Sequence, residues 1–234
     1  MMRVLVTRPL DDALETAGLL RARGHDAVVA PLLGVSYRDG QALHLDGVQA
    51  ILATSANGVR AFARHTSRRD FPVLAIGSQT AQAARDAGFS EVRNANGNSE
   101  ALAAAVRGWV APSAGALLHA AGAEAEGRLA DLLSTAGYAV RTEILYDVPS
   151  VAELPEAAYK SLTDGSLDAV LLFSARSAQV FAACVTKAGL GAACGRLIAV
   201  CISEAAAKPL SGLIFKEIRV APRPNQASLL ECLG

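Results

Sequence analysis

Short, continuously apolar runs alternate with longer alanine-rich stretches along most of the chain. The apolar runs predict strands at Arg3–Thr7, Ala27–Leu32, Ala50–Ala53, Val73–Ile76, Glu91–Arg93, Ala116–His119, Val140–Leu145, Ala169–Phe173, Ile198–Cys201 and Glu217–Val220. Helical periodicity fills most of the intervals between them. Strands apolar on both faces and separated by helices predict parallel sheets covered on both sides, an α/β fold of the doubly wound kind. Gly24, Gly88, Gly137, Gly189 and Gly212 each follow a helical run and precede a returning strand. That is the position of a left-handed residue closing a helix.

The pattern repeats. LATSANGVRAFA (52–63) lies over LLFSARSAQVFA (171–182), matching Leu52/Leu171, Ser55/Ser174, Ala56/Ala175, Phe62/Phe181 and Ala63/Ala182. VLAIGSQTAQAARDAG (73–88) lies over LIAVCISEAAAKPLSG (197–212), FSEVRNA (89–95) over FKEIRVA (215–221), and LLRARG (19–24) over LLSTAG (132–137). Together they indicate duplication of a unit of about 115 residues, hence two similar α/β domains. The repeats alone would cut the chain near residue 112.

Composition narrows the function. With 52% hydrophobic residues, the 234-residue chain can bury two cores. A formal net charge of zero gives no general nucleic-acid surface, so an anion site has to be built locally. The apolar runs are too short to span a membrane, and Met1-Met2-Arg3 leads straight into a strand without a leader, so a cytoplasmic protein is expected. Cys184, Cys194, Cys201 and Cys232 form no CxxC pair and read as reduced, packed thiols. The four histidines have no metal-binding spacing.

In doubly wound domains, ligands sit beyond the carboxyl ends of the strands, where helix N-termini point outward and favour anions. The corners here are Thr7-Arg8-Pro9, Thr54-Ser55-Ala56-Asn57, Gly77-Ser78-Gln79-Thr80, His119 to Gly122, Ser174-Ala175-Arg176-Ser177 and Ile202-Ser203. Each serine alone is accounted for by helix capping. As a set the corners predict an anionic ligand. Arg8 is the basic group best placed to meet a carboxylate, whereas Arg60, a turn into its helix, reads as a solvated residue. There is no GxGxxG after a strand, no GxxxxGK[ST] and no GxSxG, so dinucleotide, P-loop and serine-hydrolase sites lack support. An enzyme built this way works by holding a reactive substrate in shape.

VLVTRP, ILATSANGVRAF, AIGSQTAQAARDAGF, LLHAAG, ILYDV, DAVLLFSARSAQVF, AVCIS and VAPRPNQASLLECL follow one another in an order that resembles the uroporphyrinogen-III synthase family over essentially the whole chain. The resemblance implies two flavodoxin-like domains joined by two extended linkers, with the tetrapyrrole between them. It places the domains at 1–33 plus 147–234 and at 34–146, with Gly34–Arg38 and Glu143–Tyr146 as linkers. It implies cyclisation of hydroxymethylbilane to uroporphyrinogen III, with loss of water, inversion of the last ring and no metal or organic cofactor. The substrate would come from hydroxymethylbilane synthase, and the protein would act as a monomer without nucleic acid or membrane.

The family's candidate general acid is matched by Tyr146. Substrate contacts are expected at Thr7, Arg8, Ser55, Ala56, Asn57, Gly77, Ser78, Thr80, His119, Gly122, Ser174, Ala175, Arg176 and Ser203. The family often has a threonine at the corner where this chain has Glu204, whose carboxylate would repel the substrate's own; Ser203 or its N–H takes that place. The competing reading is a non-catalytic two-domain binding or sensor protein for an anionic small molecule. Two linkers predict interdomain motion. Distances between spin labels, one per domain, are expected to be broadly distributed without ligand and to narrow with it. A single narrow distribution that ligand leaves unchanged would contradict this.

Overall fold

The computed structural model describes residues 1–40, 42–125 and 127–234. The chain opens with β1 (Arg3–Val6), α1 (Leu10–Ala22) and β2 (Asp26–Val29). It continues through β3 (Ser36–Tyr37), β4 (Val48–Ala53), α2 (Ala56–His65), β5 (Val73–Ala75), α3 (Ser78–Asp86), β6 (Val92–Asn94), α4 (Ser99–Trp109), β7 (Ala116–Gly122), α5 (Arg128–Thr135) and β8 (Val140–Asp147). It ends with α6 (Glu156–Thr163), β9 (Ala169–Leu172), α7 (Ala175–Lys187), β10 (Ile198–Cys201), α8 (Glu204–Ala207), β11 (Glu217–Val220) and α9 (Gln226–Glu231). Two compact units result: Met1–Gly34 with Pro149–Gly234, and Val35–Val148. No helix among the described residues is long and apolar enough to cross a membrane.

The first unit has the strand order β11-β10-β9-β1-β2, all pairs parallel. The second has β3-β8-β7-β4-β5-β6, parallel except for β3 against β8. The sequence repeats explain both orders. The block β1-α1-β2 matches β7-α5-β8, and the block from β4 to α4 matches that from β9 to α9. Each unit takes one block of each kind from opposite copies. The spatial order is therefore the same, entered at a different strand.

Alternate residues of each central strand bury opposite ways. In β1, Leu5 packs with Val170, Leu172 and Phe181 on one face. Val4 and Val6 pack with Leu20, Leu171, Val200 and Leu229 on the other. In β4, Ile51 and Ala53 join Phe62 and Leu118, while Ala50 and Leu52 join Leu102, Leu117 and Leu133. The repeat-related Phe62 and Phe181 are both fully buried. Truncating either to alanine would cost about 3–5 kcal/mol.

The repeats also share polar fastenings. Arg93 bonds Glu91 and the Trp109 carbonyl, and Arg219 bonds Glu217 and the Cys232 carbonyl. In both units an edge-strand arginine closes the end of the next helix. Burial pushes the Cys194 and Cys201 thiols up to about 11, so they stay protonated.

Several elements differ from the sequence expectation. Gly24, Gly88, Gly137 and Gly189 are left-handed, but Gly212 is not. Pro209 stops α8 after four residues and the chain leaves through a 3-10 turn, so no helix end precedes Gly212 in the form expected. β7 runs on to Gly122, beyond the expected end at His119. The two-residue β3, paired antiparallel to β8, has no periodicity to announce it.

Arg69 ties the second unit's helix ends. It donates to the carbonyls of Ala63 (3.0 Å), Thr66 (2.6 Å), Arg68 (2.8 Å) and Ala87 (2.7 Å), and lies over the Phe89 ring. A cation there meets the negative ends of α2 and α3 together. Arg69→Ala is expected to destabilise this unit by about 2 kcal/mol. Urea unfolding followed by the single tryptophan, Trp109, reports on that unit.

Candidate functional site

All helices that follow parallel strands start at the same edge of their sheet, so each unit has one edge rich in helix N-termini. The chemistry gathers where the strand order reverses, between β1 and β9 in the first unit and between β4 and β7 in the second. Repeat-related serines stand at both places. Ser55 caps α2, accepting from the Gly58 N–H at 3.0 Å. Ser174 caps α7, accepting from the Ser177 N–H at 3.0 Å, and Ser177 accepts in return from the Ser174 N–H.

In the second unit, Tyr146 of β8 lies beside that cap. Its hydroxyl is 2.7 Å from Ser55 Oγ. The ring is 7% exposed and packs with Ile51, Val59 and Phe62. Burial pushes the phenol above its ordinary pKa, and the Ser55 hydrogen bond pulls it partly back. Tyr146 is therefore a protonated donor throughout the neutral range. Two strands meet again at His119, whose Nε2 is 3.0 Å from Thr54 Oγ1. Burial pushes this imidazole below its ordinary value, so it is neutral at pH 7. α2 approaches β7 closely: a Cβ on Gly58 would stand 2.4 Å from the Ala120 carbonyl oxygen.

The other expected site residues divide into two groups. Asn57 and Ala56 open α2, Asn57 Oδ1 accepting from Arg60 at 3.0 Å. Arg60 thus bonds within its own first turn. Gly77 caps α3, and the exposed Ser78 hydroxyl donates to Asn96 at 3.1 Å. Ala175 and Arg176 open α7, and Ser203 caps α8, which starts with the exposed Glu204. All of these lie at the N-terminal edges.

The remaining residues are placed otherwise than expected. Thr7 is fully buried and its hydroxyl donates to the Leu171 carbonyl at 2.8 Å. Thr80 stands in the first turn of α3, at the expected corner, but its side chain is buried. Arg8 is buried against Asp12 at 3.1 Å, bonds Gln226, and lies 4.3 Å above the Phe173 ring. A buried arginine is stable only when paired, and Asp12, four residues on along α1, was the sequence signal for that. His119 to Gly122 form no strand-to-helix corner. They are the last four residues of β7, and α5 starts only at Arg128. The Thr54–His119 bond was legible only as a histidine inside an apolar run.

The family model described as uroporphyrinogen-III synthase HemD matches residues 14–231. The chain belongs to the uroporphyrinogen-III synthase family. Two solved structures are similar in fold. Uroporphyrinogen-III synthetase from Helicobacter pylori is 16% identical, with a TM-score of 0.65, covering 100% of this chain and 98% of that one. A mutant uroporphyrinogen III synthase from the extremely thermophilic bacterium Thermus thermophilus is 19% identical, with a TM-score of 0.54, covering 100% and 97%. No curated protein sequence matches the chain. As a uroporphyrinogen-III synthase family member the chain is a lyase of porphyrin biosynthesis. Its reaction closes hydroxymethylbilane to uroporphyrinogen III with loss of water and inversion of the last ring.

The neutral state of His119 has a pH consequence. Its folded-state pKa lies below that of the unfolded chain, so unfolding takes up a proton as pH falls. Its contribution to stability is complete above the ordinary imidazole range and is lost below it. Urea unfolding at pH 7.5 and 5.5 is expected to show lower stability at 5.5. The difference should shrink in His119→Gln.

Proposed function

We propose that Tyr146 is the general acid of this ring closure and that the helix N-termini hold the substrate's carboxylates. The supporting observation is the place of the Tyr146 hydroxyl, at the reversal of strand order and on the cap of α2. Ser55 Oγ accepts from the Gly58 N–H and can donate its own O–H in a hydrogen bond to the Tyr146 oxygen. The phenolic O–H is then left to point at a ligand. It donates to the departing hydroxyl of the hydroxymethyl group, so that water leaves rather than hydroxide. The electron-rich pyrrole supplies the electron pair and becomes an azafulvene. The substituted carbon of the terminal ring attacks it, and the spiro intermediate fragments and recloses with that ring reversed. The proton released as the closed pyrrole regains aromaticity restores the phenol.

The substrate carries eight carboxylates, and helix N-termini take such groups through N–H donors without a large net charge. In this reading the first turns of α2, α3 and α7, with Asn57, Ser78, Ala175, Arg176 and Ser203, are the contacts. The bilane closes spontaneously to the unrearranged isomer, so rapid delivery from hydroxymethylbilane synthase to a monomeric protein in the cytoplasm suits the reaction. A coupled assay that generates hydroxymethylbilane enzymatically, oxidises the product and separates the isomers tests the proposal. Wild type is expected to give type III. Tyr146→Phe is expected to lower kcat about 100-fold, letting type I predominate. Wild-type kcat in Tyr146→Phe would remove Tyr146 from the chemistry.

A further inference from the structure

β7 and β8 pair regularly from Leu117 with Val140 to Ala121 with Ile144. There the register shifts: Leu145 is passed over, and Gly122 pairs with Tyr146. The extra residue turns two consecutive side chains to the same face. Leu145 and Tyr146 are both buried, and both pack in the cluster that includes Val59 and Phe62 of α2. In a regular strand they would point to opposite faces. A bulge beside a site commonly re-aims a side chain in this way. Here it aims the tyrosine ring at the cap of α2. The residue after edge strand β3 holds the shifted backbone, since the Leu145 carbonyl accepts from the Arg38 N–H at 2.9 Å.

On its way to Ser55 the ring passes over Gly122. A Cβ at residue 122 would stand 2.8 Å from ring carbons Cε2 and Cζ and 3.1 Å from the hydroxyl oxygen. Two of these distances are too short for any real Cβ. Residue 122 is not in the left-handed region, so its backbone tolerates other residues. Glycine is needed there for space alone. The close neighbours of the missing methyl are all atoms of the Tyr146 side chain.

We propose that Gly122 is a positioning residue: the empty place at its Cβ seats the Tyr146 ring, and with the Leu145 bulge it keeps the phenolic hydroxyl on Ser55. This rests on the reading of Tyr146 as the acid. A methyl at 122 shifts the ring by a sizeable fraction of an ångström or more. The hydroxyl then leaves both Ser55 and its line to the substrate, while the helix N-termini that bind carboxylates stay in place. A displacement of that size can cost up to about 100-fold in rate without a comparable loss of binding.

The experiment is Gly122→Ala with two readouts. In the coupled assay kcat is expected to fall about 10- to 100-fold, with KM changed less than about twofold. In spectra of protein labelled at tyrosine Cζ with carbon-13, the Tyr146 resonance is assigned by its loss in Tyr146→Phe. In Gly122→Ala it is expected to move to where Ser55→Ala puts it. Adding Gly122→Ala to Tyr146→Phe should lower kcat no further. Gly108→Ala, with open space at its Cβ in α4, should change neither readout. An unmoved resonance, or a further loss of kcat in the double variant, would overturn the proposal. If Tyr146→Phe itself keeps wild-type kcat, the acid reading fails, and the resonance still decides whether Gly122 seats the ring. If Gly122→Ala does not fold, Gly122→Ala with Tyr146→Ala is expected to fold, the methyl entering the space the ring leaves. A double variant that stays unfolded would put the clash elsewhere and reject the seat.

Discussion

A parallel sheet buried on both faces constrains everything else in this protein. Its strands spend both sets of side chains on core packing, as Val4, Leu5 and Val6 do in β1 and Ala50 to Ala53 in β4. The interiors of these central strands then have no side chain left over for a ligand. Parallel pairing sends every strand out at the same edge and starts the next helix there. That edge gathers unpaired N–H groups and partial positive charge whatever the side chains are. A protein with no net charge can hold a polyanion by this means, and the cap serines at Ser55, Ser174 and Ser203 are part of the same geometry.

Side chains at these edges add hydrogen bonds but little uncompensated charge. Burial holds Tyr146 as a phenol and His119 as a neutral imidazole. Arg8, the obvious cation, is neutralised by Asp12. This combination suits a substrate that is already highly charged and already reactive. A strong cation beside the scissile hydroxyl would bind a carboxylate there and misplace the reacting rings. A neutral donor in a low-dielectric wall can protonate a leaving hydroxyl without attracting the wrong group.

The alternation of strands and helices, the capped corners and the duplication were legible because they are local patterns of hydrophobicity and turn chemistry. Tyr146 entered through family resemblance, and its bond to Ser55 could not be read. That bond depends on a one-residue bulge opposite Gly122. In β8, Val140, Thr142 and Ile144 alternate with Arg141 and Glu143 until Leu145 breaks the pattern, and one break at a strand end looks the same as the end of the strand. The conformation of Gly212 was misread because Pro209 acts on a helix already too short to reach it. The pairing of Arg8 with Asp12 is hard to see in the sequence for a different reason. A basic residue at a strand end looks the same whether it awaits a ligand or is already paired, and only the i,i+4 carboxylate distinguishes the two cases.

Duplication supplied two edges but not two equal sites. Laid over each other, the copies keep the cap serine, Ser55 and Ser174. Each is followed by a helix long enough to bring its N-terminal dipole to the edge, of 10 and 13 residues. They part at the other components. Where LLSTAG overlies LLRARG, Tyr146 falls on Leu33 and Gly122 on Pro9. Without a phenol to meet, Ser174 turns its hydroxyl to Ser177 and closes a capping box. The next corner diverges as well, since α3 has nine residues and its counterpart α8 has four, beginning with Glu204. A carboxylate in that first turn is favoured by the helix end it occupies, and it takes up the positive potential that a substrate group would otherwise use. The first unit therefore keeps the scaffold of an anion-binding edge. The proposed acid, its serine and its glycine seat occur together only in the second.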